Sequence, residues 1–472
     1  MEKKKKYKDL SKNIILFTIS SFGQKILAFL LVPLYTSVLS TGEYGTVDLV
    51  STTVSLLLPM FTVNISEGVM RFTLENKKDK EYLGCGAKIT CIGAVILLVV
   101  MLGISMTPIL KNYHYLFPWL YFIFLINAIY NLQQNYLRAV DCIPTMVTAS
   151  LVNSGVMMGL NVLLLTVFKL GITGYFISLF MGLFIAVIFM EVRTKFHRKI
   201  CLDIVDKKTQ TEIVRYCIPT VFTALAWWIN SSLDRYFVTA ICGVDQNGIY
   251  SIAYKIPTIL GIFQNIFVQA WTLSAITEFD ENDTDGFFGN TYELYNSMMV
   301  LICSGIVLFN ILLSKILYSN EFFNAWHSVP LLVLSSLFSA LSGYLGSIFS
   351  AVKDTKTCAI STIVSALVNS GMNFILIKKY GIVGAAIATV SAYIVAWLIR
   401  MIASRRYINM KISLVREAIT YVLLFIQVIF AMNESHYYTA QILIIILIVL
   451  VNMKFYRSAF KQLINKYLGV KK

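Results

Sequence analysis

Apolar segments long enough to cross a lipid bilayer follow one another along almost the whole 472-residue chain. A transmembrane helix needs about 20 mostly apolar residues to cross a hydrocarbon core of about 30 Å. Fourteen segments meet this requirement: 12–39, 46–70, 82–108, 115–137, 145–168, 171–190, 213–241, 248–277, 287–314, 325–350, 357–377, 381–399, 413–432 and 437–456. The sequence therefore predicts an all-α integral membrane protein with about fourteen transmembrane helices.

The composition excludes an ordinary water-soluble domain. Hydrophobic residues make up 57% of the chain and charged residues only 14%, whereas soluble domains carry about 25% charged residues. A net charge of +15 would suggest a nucleic-acid partner in a soluble protein. Here the basic residues lie between the apolar segments, so we expect a lipid bilayer as the partner and no nucleic acid.

An internal duplication divides the chain. The letters LVNSG occur at 151–155 and again at 367–371, and STGEYGTVDLV (40–50) matches CGVDQNGIYSI (242–252). An offset of about 210 residues is far too long for a solenoid repeat. It indicates two copies of one six-helix domain in tandem.

The duplication predicts the domain organisation. We expect an N-terminal lobe at 1–200, a C-terminal lobe at 201–405, and two further helices with a cytoplasmic C-terminal tail at 406–472. Copies with an even number of spans share one orientation, so an axis along the membrane normal relates them. Ser150 and Ser154, like Ala366 and Ser370, have the small-xxx-small spacing of packed helices, and we expect packing surfaces at the LVNSG segments.

The distribution of lysine and arginine predicts the orientation. Most of the 40 lysine and arginine residues lie in alternate loops, whereas the loops 40–45, 242–248 and 433–438 contain none. Cytoplasmic loops are enriched in these residues, so both termini are predicted in the cytoplasm. The first apolar segment is too long for a signal-peptide core, and we interpret it as a retained span.

The sequence carries no motif for enzymatic chemistry. We find no phosphate-binding P-loop, no G-x-S-x-G and no metal-binding cluster of histidine and cysteine. The eight cysteines show no C-x-x-C pair and are interpreted as small core residues. We therefore predict a transporter without a cofactor or metal. The residues do not decide whether a proton gradient or a sodium gradient drives it.

Polar side chains line one face of the first and second predicted helices of each copy. A charge at the bilayer centre costs about 2.5–3.5 kcal/mol, so such residues normally face water or a partner. The stripes predict a cationic cavity that suits an anion such as a phosphate. The candidate cavity residues are Lys25, Asp48, Asn230, Asp234, Arg235, Lys255, Asn265 and Gln269.

Other interpretations of these polar residues stay open. Serine and threonine stripes also occur where membrane helices pack. Asp234 and Arg235 could form a structural pair beside the loop 242–248, and Lys255 could extend to the outer membrane surface. Glu67 and Arg71 are spaced for a salt bridge at a helix end.

The architecture and the segment LDRYFVTAICGVDQNGIYSIAYKI (233–256) resemble the Wzx-type oligosaccharide flippases of the multidrug/oligosaccharidyl-lipid/polysaccharide exporter superfamily. The resemblance implies two lobes whose first, second, seventh and eighth helices line a central cavity. It implies alternating-access transport of an undecaprenyl-diphosphate-linked oligosaccharide to the outer leaflet of the bacterial cytoplasmic (inner) membrane. Such transport serves O-antigen, capsule or exopolysaccharide synthesis, alongside a polymerase and glycosyltransferases. Lys25, Asp234, Arg235 and Lys255 match the charged cavity residues that the resemblance implies.

Three alternatives remain at this point. A lipid II flippase of the same superfamily also has fourteen spans and a cationic cavity. A drug or cation antiporter would share the fold, but it usually has twelve spans and an acidic cavity. A membrane glycosyltransferase or polymerase is disfavoured by the duplicated halves and by the lack of a long outer loop.

Overall fold

The computed structural model describes residues 23, 25–76, 79–108, 111–200, 207–277, 279–433, 435 and 437–457. In these ranges the chain is helical, without β-strands. Nine of the described helices are long and apolar enough to cross a membrane, or ten if one bent pair counts as a single span. The all-α membrane fold is therefore confirmed, and the count of fourteen spans stays a prediction.

The chain forms two compact units, Met1–Ser232 and Leu233–Lys472. The helices of the first unit are α1 (Lys25–Val38), α2 (Thr41–Phe61), α3 (Ile65–Asn76), α4 (Asp79–Ser105), α5 (Phe117–Ala139), α6 (Ile143–Asn161), α7 (Gly171–Thr194) and the first part of α8 (Lys207–Cys242). The division between the units falls inside α8, and the predicted limits at 200 and 405 stay predictions.

The second unit contains the remainder of α8 and eight further helices. They are α9 (Val244–Ala253), α10 (Thr258–Thr277), α11 (Phe287–Leu308), α12 (Asn310–Leu317), α13 (Val329–Ala351), α14 (Thr355–Ser404), α15 (Leu414–Ala431) and α16 (Tyr438–Val451). Helix α13 is the most enclosed of the candidate spans and packs against α10, α11 and α14. Helices α15 and α16 pack on α11, so the C-terminal pair belongs to the second unit.

Side-chain caps explain where two of the helices begin. Ser40 and Glu43 form a capping box, in which the Ser40 hydroxyl accepts from the Glu43 amide and the Glu43 carboxylate accepts from the Ser40 amide. Asp354 precedes α14 and accepts a hydrogen bond from the Thr357 amide over 3.1 Å. Both caps satisfy amides that have no partner inside the helix.

The predicted second span, 46–70, is wrong as a single helix. Helix α2 ends at Phe61, and α3 starts at Ile65 after Val63 and Asn64 adopt left-handed φ angles of 52° and 51°. The segment 46–70 is apolar on average on both sides of this turn, so its hydropathy alone does not reveal the break. The predicted polar stripe consequently divides, with Thr62 before α3 and Ser66 within it.

The eighth predicted span also differs from the structure, whereas the division between the eleventh and twelfth does not. The span 248–277 consists of α9 and α10, which are bent by 49°. The predicted spans 357–377 and 381–399 agree with the structure, because α14 consists of two helices that meet at a kink at Gly381, where the backbone is not helical. Gly381 has a φ of 57°, a backbone conformation that glycine adopts without a steric penalty.

The repeated LVNSG segments lie on α6 and α14, and their role as packing surfaces stays a prediction. In the first copy Ser150 is buried, and its hydroxyl lies 3.1 Å from that of Tyr130 on α5. In the second copy Asn369 is buried, and it accepts a hydrogen bond from Asn373 over 2.8 Å. The part of the first predicted span that precedes residue 23 and the C-terminal tail after residue 457 lie outside the described residues.

Candidate functional site

A polar cavity of about 300 Å³ lies in the first unit where the chain breaks between α2 and α3. Hydroxyl, carboxamide and carboxylate side chains line much of its wall. The lining residues are Ser55, Leu58, Pro59, Thr62, Asn64, Ile65, Ser66, Glu67, Thr90, Ala128, Asn131, Asn135 and Ala224. Five helices of one unit and the break between two of them therefore contribute to the wall.

Close contacts hold the break against α8. The Asn64 side-chain amide donates to the Thr220 hydroxyl over 3.1 Å, and the Trp228 indole donates to the Thr52 carbonyl over 2.9 Å. At Gly68 a Cβ atom would lie 2.5 Å from the Cys217 sulfur, so only glycine allows this approach. The cavity wall is therefore fixed by contacts on both sides of the break.

The donor set of this cavity is typical of sites that bind hydroxyl-rich ligands. The carboxamides of Asn64, Asn131 and Asn135 offer both donors and acceptors, and the Glu67 carboxylate accepts. Few polar groups in otherwise apolar walls commonly fix the orientation of a small ligand. The arrangement can bind the hydroxyl groups of a saccharide.

The predicted cavity residues of the first unit lie on three helices. Lys25 on α1 and Asp48 on α2 are half-buried, and Asn230 on α8 is buried. None of the three is among the described residues that line the cavity at the break. Asp48 and Ser55 are seven residues apart on α2, so they lie about 10 Å apart along the axis.

Asp234 is enclosed in the second unit by hydroxyl groups. Its Oδ2 atom accepts from the Tyr250 hydroxyl over 2.6 Å and from the Tyr254 hydroxyl over 2.9 Å. The Thr389 hydroxyl of α14 lies 3.4 Å from that of Tyr250. The carboxylate therefore links α8, α9 and α14, and its side chain is only 3% exposed.

Arg235 lies beside the same cluster. Its backbone N–H donates to the Asp234 Oδ1 atom over 3.0 Å, and its guanidinium lies 5.3 Å from the Tyr254 ring centroid. A cation over an aromatic face is attracted by the ring quadrupole. The structure thus brings Asp234 and Arg235 together with two tyrosines near the bend that follows α9.

The remaining predicted residues lie at or beyond that bend. Lys255 is half-buried between α9 and α10, and Asn265 is exposed on α10. Gln269 belongs to α10, and its side chain is outside what the structure describes. The predicted polar stripe on the span 248–277 assumed one straight helix. This assumption is wrong, because the 49° bend between α9 and α10 separates Lys255 from Asn265 and Gln269.

The sequence analysis missed two groups of residues. Tyr250, Tyr254 and Thr389 complete the Asp234 cluster, and the tyrosine spacing in YSIAY was the available signal. Asn131 and Asn135 line the first-unit cavity, and the polar run YNLQQNY (130–136) could have indicated them. Tyrosine belongs to the hydrophobic residues, so its hydroxyl does not interrupt an apolar pattern, and the polar stripe of the fourth predicted span is short.

The helical architecture defines a class of multi-pass membrane transporter folds. A solved structure of the lipid II flippase MurJ in an inward closed conformation aligns with this chain at a TM-score of 0.69 and 16% identity. The alignment covers 95% of this chain and 100% of the MurJ chain. A multidrug resistance MATE family transporter of the MOP superfamily, in an inward-facing conformation, covers 80% and 94% with a TM-score of 0.61 and 14% identity. The predicted fold class is confirmed.

Residues 10–273 match the sequence profile of the polysaccharide biosynthesis protein family. The match spans more than half of the chain, and the chain belongs to this family. The predicted relationship to polysaccharide transporters is thereby confirmed at the family level.

Two relatives with assigned roles align with part of the chain. A Haloferax volcanii protein named as a low-salt glycan biosynthesis flippase, Agl15, is 24% identical over 195 residues, which are 40% of each chain. A Shigella flexneri protein named as an O-antigen transporter is 26% identical over 176 residues, which are 36% of this chain and 39% of its own. The chain thus aligns with about two fifths of the length of each.

Proposed function

We propose that this protein is a flippase that moves a polyprenyl-diphosphate-linked oligosaccharide from the cytoplasmic to the outer leaflet. The family match across residues 10–273 carries the proposal. Relatives named as a glycan flippase and as an O-antigen transporter, and a fold shared with transporters, favour transport over catalysis. The lipid carrier we propose is undecaprenyl diphosphate.

The cavity at the α2–α3 break supports a saccharide substrate. It offers Asn64, Glu67, Asn131 and Asn135 within an apolar helical unit. Sugars present many hydroxyl groups that both donate and accept, and carboxamides and carboxylates match them in kind. A hydrophobic drug would displace water from these polar groups without offering them hydrogen bonds in return, which costs binding free energy.

The basic residues support an anionic headgroup. Lys25 is half-buried on an apolar helix, and a cation there is best explained by a partner of opposite charge. We propose that Lys25, Arg235 and Lys255 attract the diphosphate, and that alternating access driven by a proton or sodium gradient moves the substrate. The proposed partner enzymes are the glycosyltransferases and polymerase of the same pathway, in the cytoplasmic membrane.

Reconstituted vesicles test the proposal. Purified protein is inserted into liposomes that carry a short fluorescent undecaprenyl-diphosphate oligosaccharide, and a membrane-impermeant glycosidase reports the outward-facing fraction. We expect the protein to raise the rate at which protected substrate becomes accessible. Liposomes with the Asn131→Ala/Asn135→Ala variant are the matched control and should show a reduced rate. Equal rates in protein-free and protein-containing vesicles would contradict the proposal.

A lipid II flippase is the second candidate, because the MurJ structure matches 95% of the chain. Complementation separates the two candidates. We expect the gene to restore surface polysaccharide in a strain that lacks its oligosaccharide flippase and not to rescue growth of a strain depleted of its lipid II flippase. The reverse pattern would favour lipid II as the substrate.

A further inference from the structure

Two acidic residues and one arginine form a buried cluster that joins α15 to α11 in the second unit. The Arg416 Nη2 atom lies 3.4 Å from the Glu293 carboxylate and 3.7 Å from the Glu417 carboxylate. Glu293 and Glu417 are 7% and 3% exposed. The backbone N–H of Ser413, just before α15, donates to the Glu293 Oε1 atom over 2.8 Å.

Polar side chains extend this cluster to the end of α16. The Ser297 hydroxyl donates to the Asn452 Oδ1 atom over 3.1 Å, and the Asn452 amide donates to the Thr420 hydroxyl over 3.1 Å. The Arg416 guanidinium lies 4.2 Å from the Phe455 ring centroid. Arg416 and Glu293 therefore lie where the C-terminal helix pair packs onto α11.

Glu417 differs from Glu293 in its surroundings. Both of its carboxylate oxygens are buried and have no hydrogen-bond partner among the described residues. Its distance to Arg416 exceeds hydrogen-bond length. Although Glu417 lies in the first turn of α15, where a carboxylate could accept from backbone amides, it does not do so.

The charges of the cluster do not balance when both acids are ionised. Glu293 and Glu417 would then contribute two negative charges against the single positive charge of Arg416. A buried charge without hydrogen bonds is costly, and such a group commonly becomes neutral instead. The ionised form of Glu293 is stabilised by the Ser413 amide as well as by Arg416. Glu417 is therefore the acid whose neutral form is favoured.

We propose that Glu417 is a proton-binding site that is occupied at neutral pH in the folded protein. A proton from water adds to one carboxylate oxygen, and the resulting O–H becomes a donor. The adjacent Asn296 has a buried Oδ1 atom without a partner among the described residues. Protonation therefore neutralises the cluster and provides an O–H donor close to this side chain.

Titratable and charged groups reach this region from several elements. Helix α11 supplies Tyr292 and Glu293, α15 supplies Arg416 and Tyr421, and the segment after α16 supplies Lys454 and Tyr456. Uncharged rings complete the wall, with Phe338 of α13 and Trp397 of α14 both against Tyr421. Arg416 favours the ionised form of Glu417, whereas Glu293 and the low-dielectric surroundings oppose it.

Infrared spectroscopy of the purified full-length protein tests the site. A protonated carboxyl gives a carbonyl stretch that ionised carboxylates do not give. We expect this band at pH 7 in the unchanged protein and its loss in the Glu417→Gln variant. Glu212 is an exposed acid at the start of α8, so the Glu212→Gln variant is the control and should keep the band. Persistence of the full band in Glu417→Gln would overturn the proposal.

Two further measurements keep the test decisive. If Glu417→Gln does not fold, the unchanged protein is treated with dicyclohexylcarbodiimide, which reacts with protonated carboxyls in apolar surroundings. Peptide mass spectrometry should then find Glu417 modified and Glu293 unmodified, and the opposite pattern overturns the proposal. Sodium added at constant pH should leave the infrared band unchanged, whereas its loss would show a sodium site instead. Neither readout depends on the proposed flippase function.

Discussion

The Tyr250 hydroxyl donates a 2.6 Å hydrogen bond to the Asp234 carboxylate, which is only 3% exposed. The bond joins the end of α8 to α9, and Thr389 extends it toward α14. A buried carboxylate is tolerated when hydrogen bonds satisfy its lone pairs. The pair therefore fixes the position of the neighbouring Arg235 and of the bend that carries Lys255.

Removal of this hydrogen bond should destabilise the second unit. Tyr250→Phe keeps the ring but deletes the donor, and we expect a loss of about 1–3 kcal/mol because a buried carboxylate loses one of its two tyrosine partners. Thermal unfolding of the detergent-purified protein measures the loss. Tyr380→Phe, at a half-exposed position, should leave the transition unchanged. A transition for Tyr250→Phe equal to that of the unchanged protein would show that the bond contributes nothing.

Gly68 should not tolerate a larger side chain. An added Cβ would lie 2.5 Å from the Cys217 sulfur and 2.8 Å from the Ile213 Cγ2 atom, so Gly68→Ala should cost about 1–3 kcal/mol through overpacking. Gly155→Ala is the matched control because nothing lies within 4 Å of its added Cβ. The Cys217→Ala change should restore part of the loss in the double variant. Equal thermal stability of Gly68→Ala and Gly155→Ala would contradict the close approach.

Lys25 should be required for transport. We expect Lys25→Ala to abolish surface polysaccharide at an unchanged protein level, since it removes the cation that we propose as a partner of the diphosphate. Lys25→Arg keeps the charge with a different shape and should retain part of the activity. Immunoblots give the protein level, and polysaccharide gels give the product. Full activity in Lys25→Ala would remove this residue from the proposed site.

The orientation predicted from charge can be tested with reporter fusions. Reporters at Lys199 and Arg405 should be active on the cytoplasmic side, and those at Gly42, Asp245 and Ser435 on the exterior. The expectation rests on the asymmetry of lysine and arginine between alternate loops. A cytoplasmic reporter signal at Asp245 would reverse the assignment of the second unit.

The start of α14 should weaken in acid. The hydroxyl and amide of Thr357, with the Tyr407 hydroxyl, hold the pKa of the Asp354 carboxyl below its usual value. The stabilisation is therefore present above the unfolded-state pKa of about 4 and is lost as the pH falls through the lower folded-state pKa. Asp354→Asn should lower the thermal midpoint at pH 7 and have a smaller effect at pH 3. An equal effect at both pH values would contradict this role of the charge.

Part of the candidate site could be predicted from the sequence, because a polar residue within an apolar segment is recognisable without knowledge of the tertiary structure. The polar positions on α2 and α8 were recognised, and Thr220 does meet Asn64 at the cavity. Glu67 was predicted to pair with Arg71, but Arg71 pairs with Glu75 over 2.7 Å, and Glu67 lines the cavity. Both partners satisfy helical spacing, so spacing alone could not choose between them.

The sequence by itself determined the helical membrane fold and the family relationship. Apolar length and the requirement for internal backbone hydrogen bonds leave few other structures for such a chain. Only the tertiary structure decided the break at Val63 and Asn64, the tyrosines around Asp234 and the unpartnered carboxylate of Glu417. These features depend on which side chains meet across helices distant in sequence, as with Asp234 and Thr389, and hydropathy averages over such contacts instead of recording them.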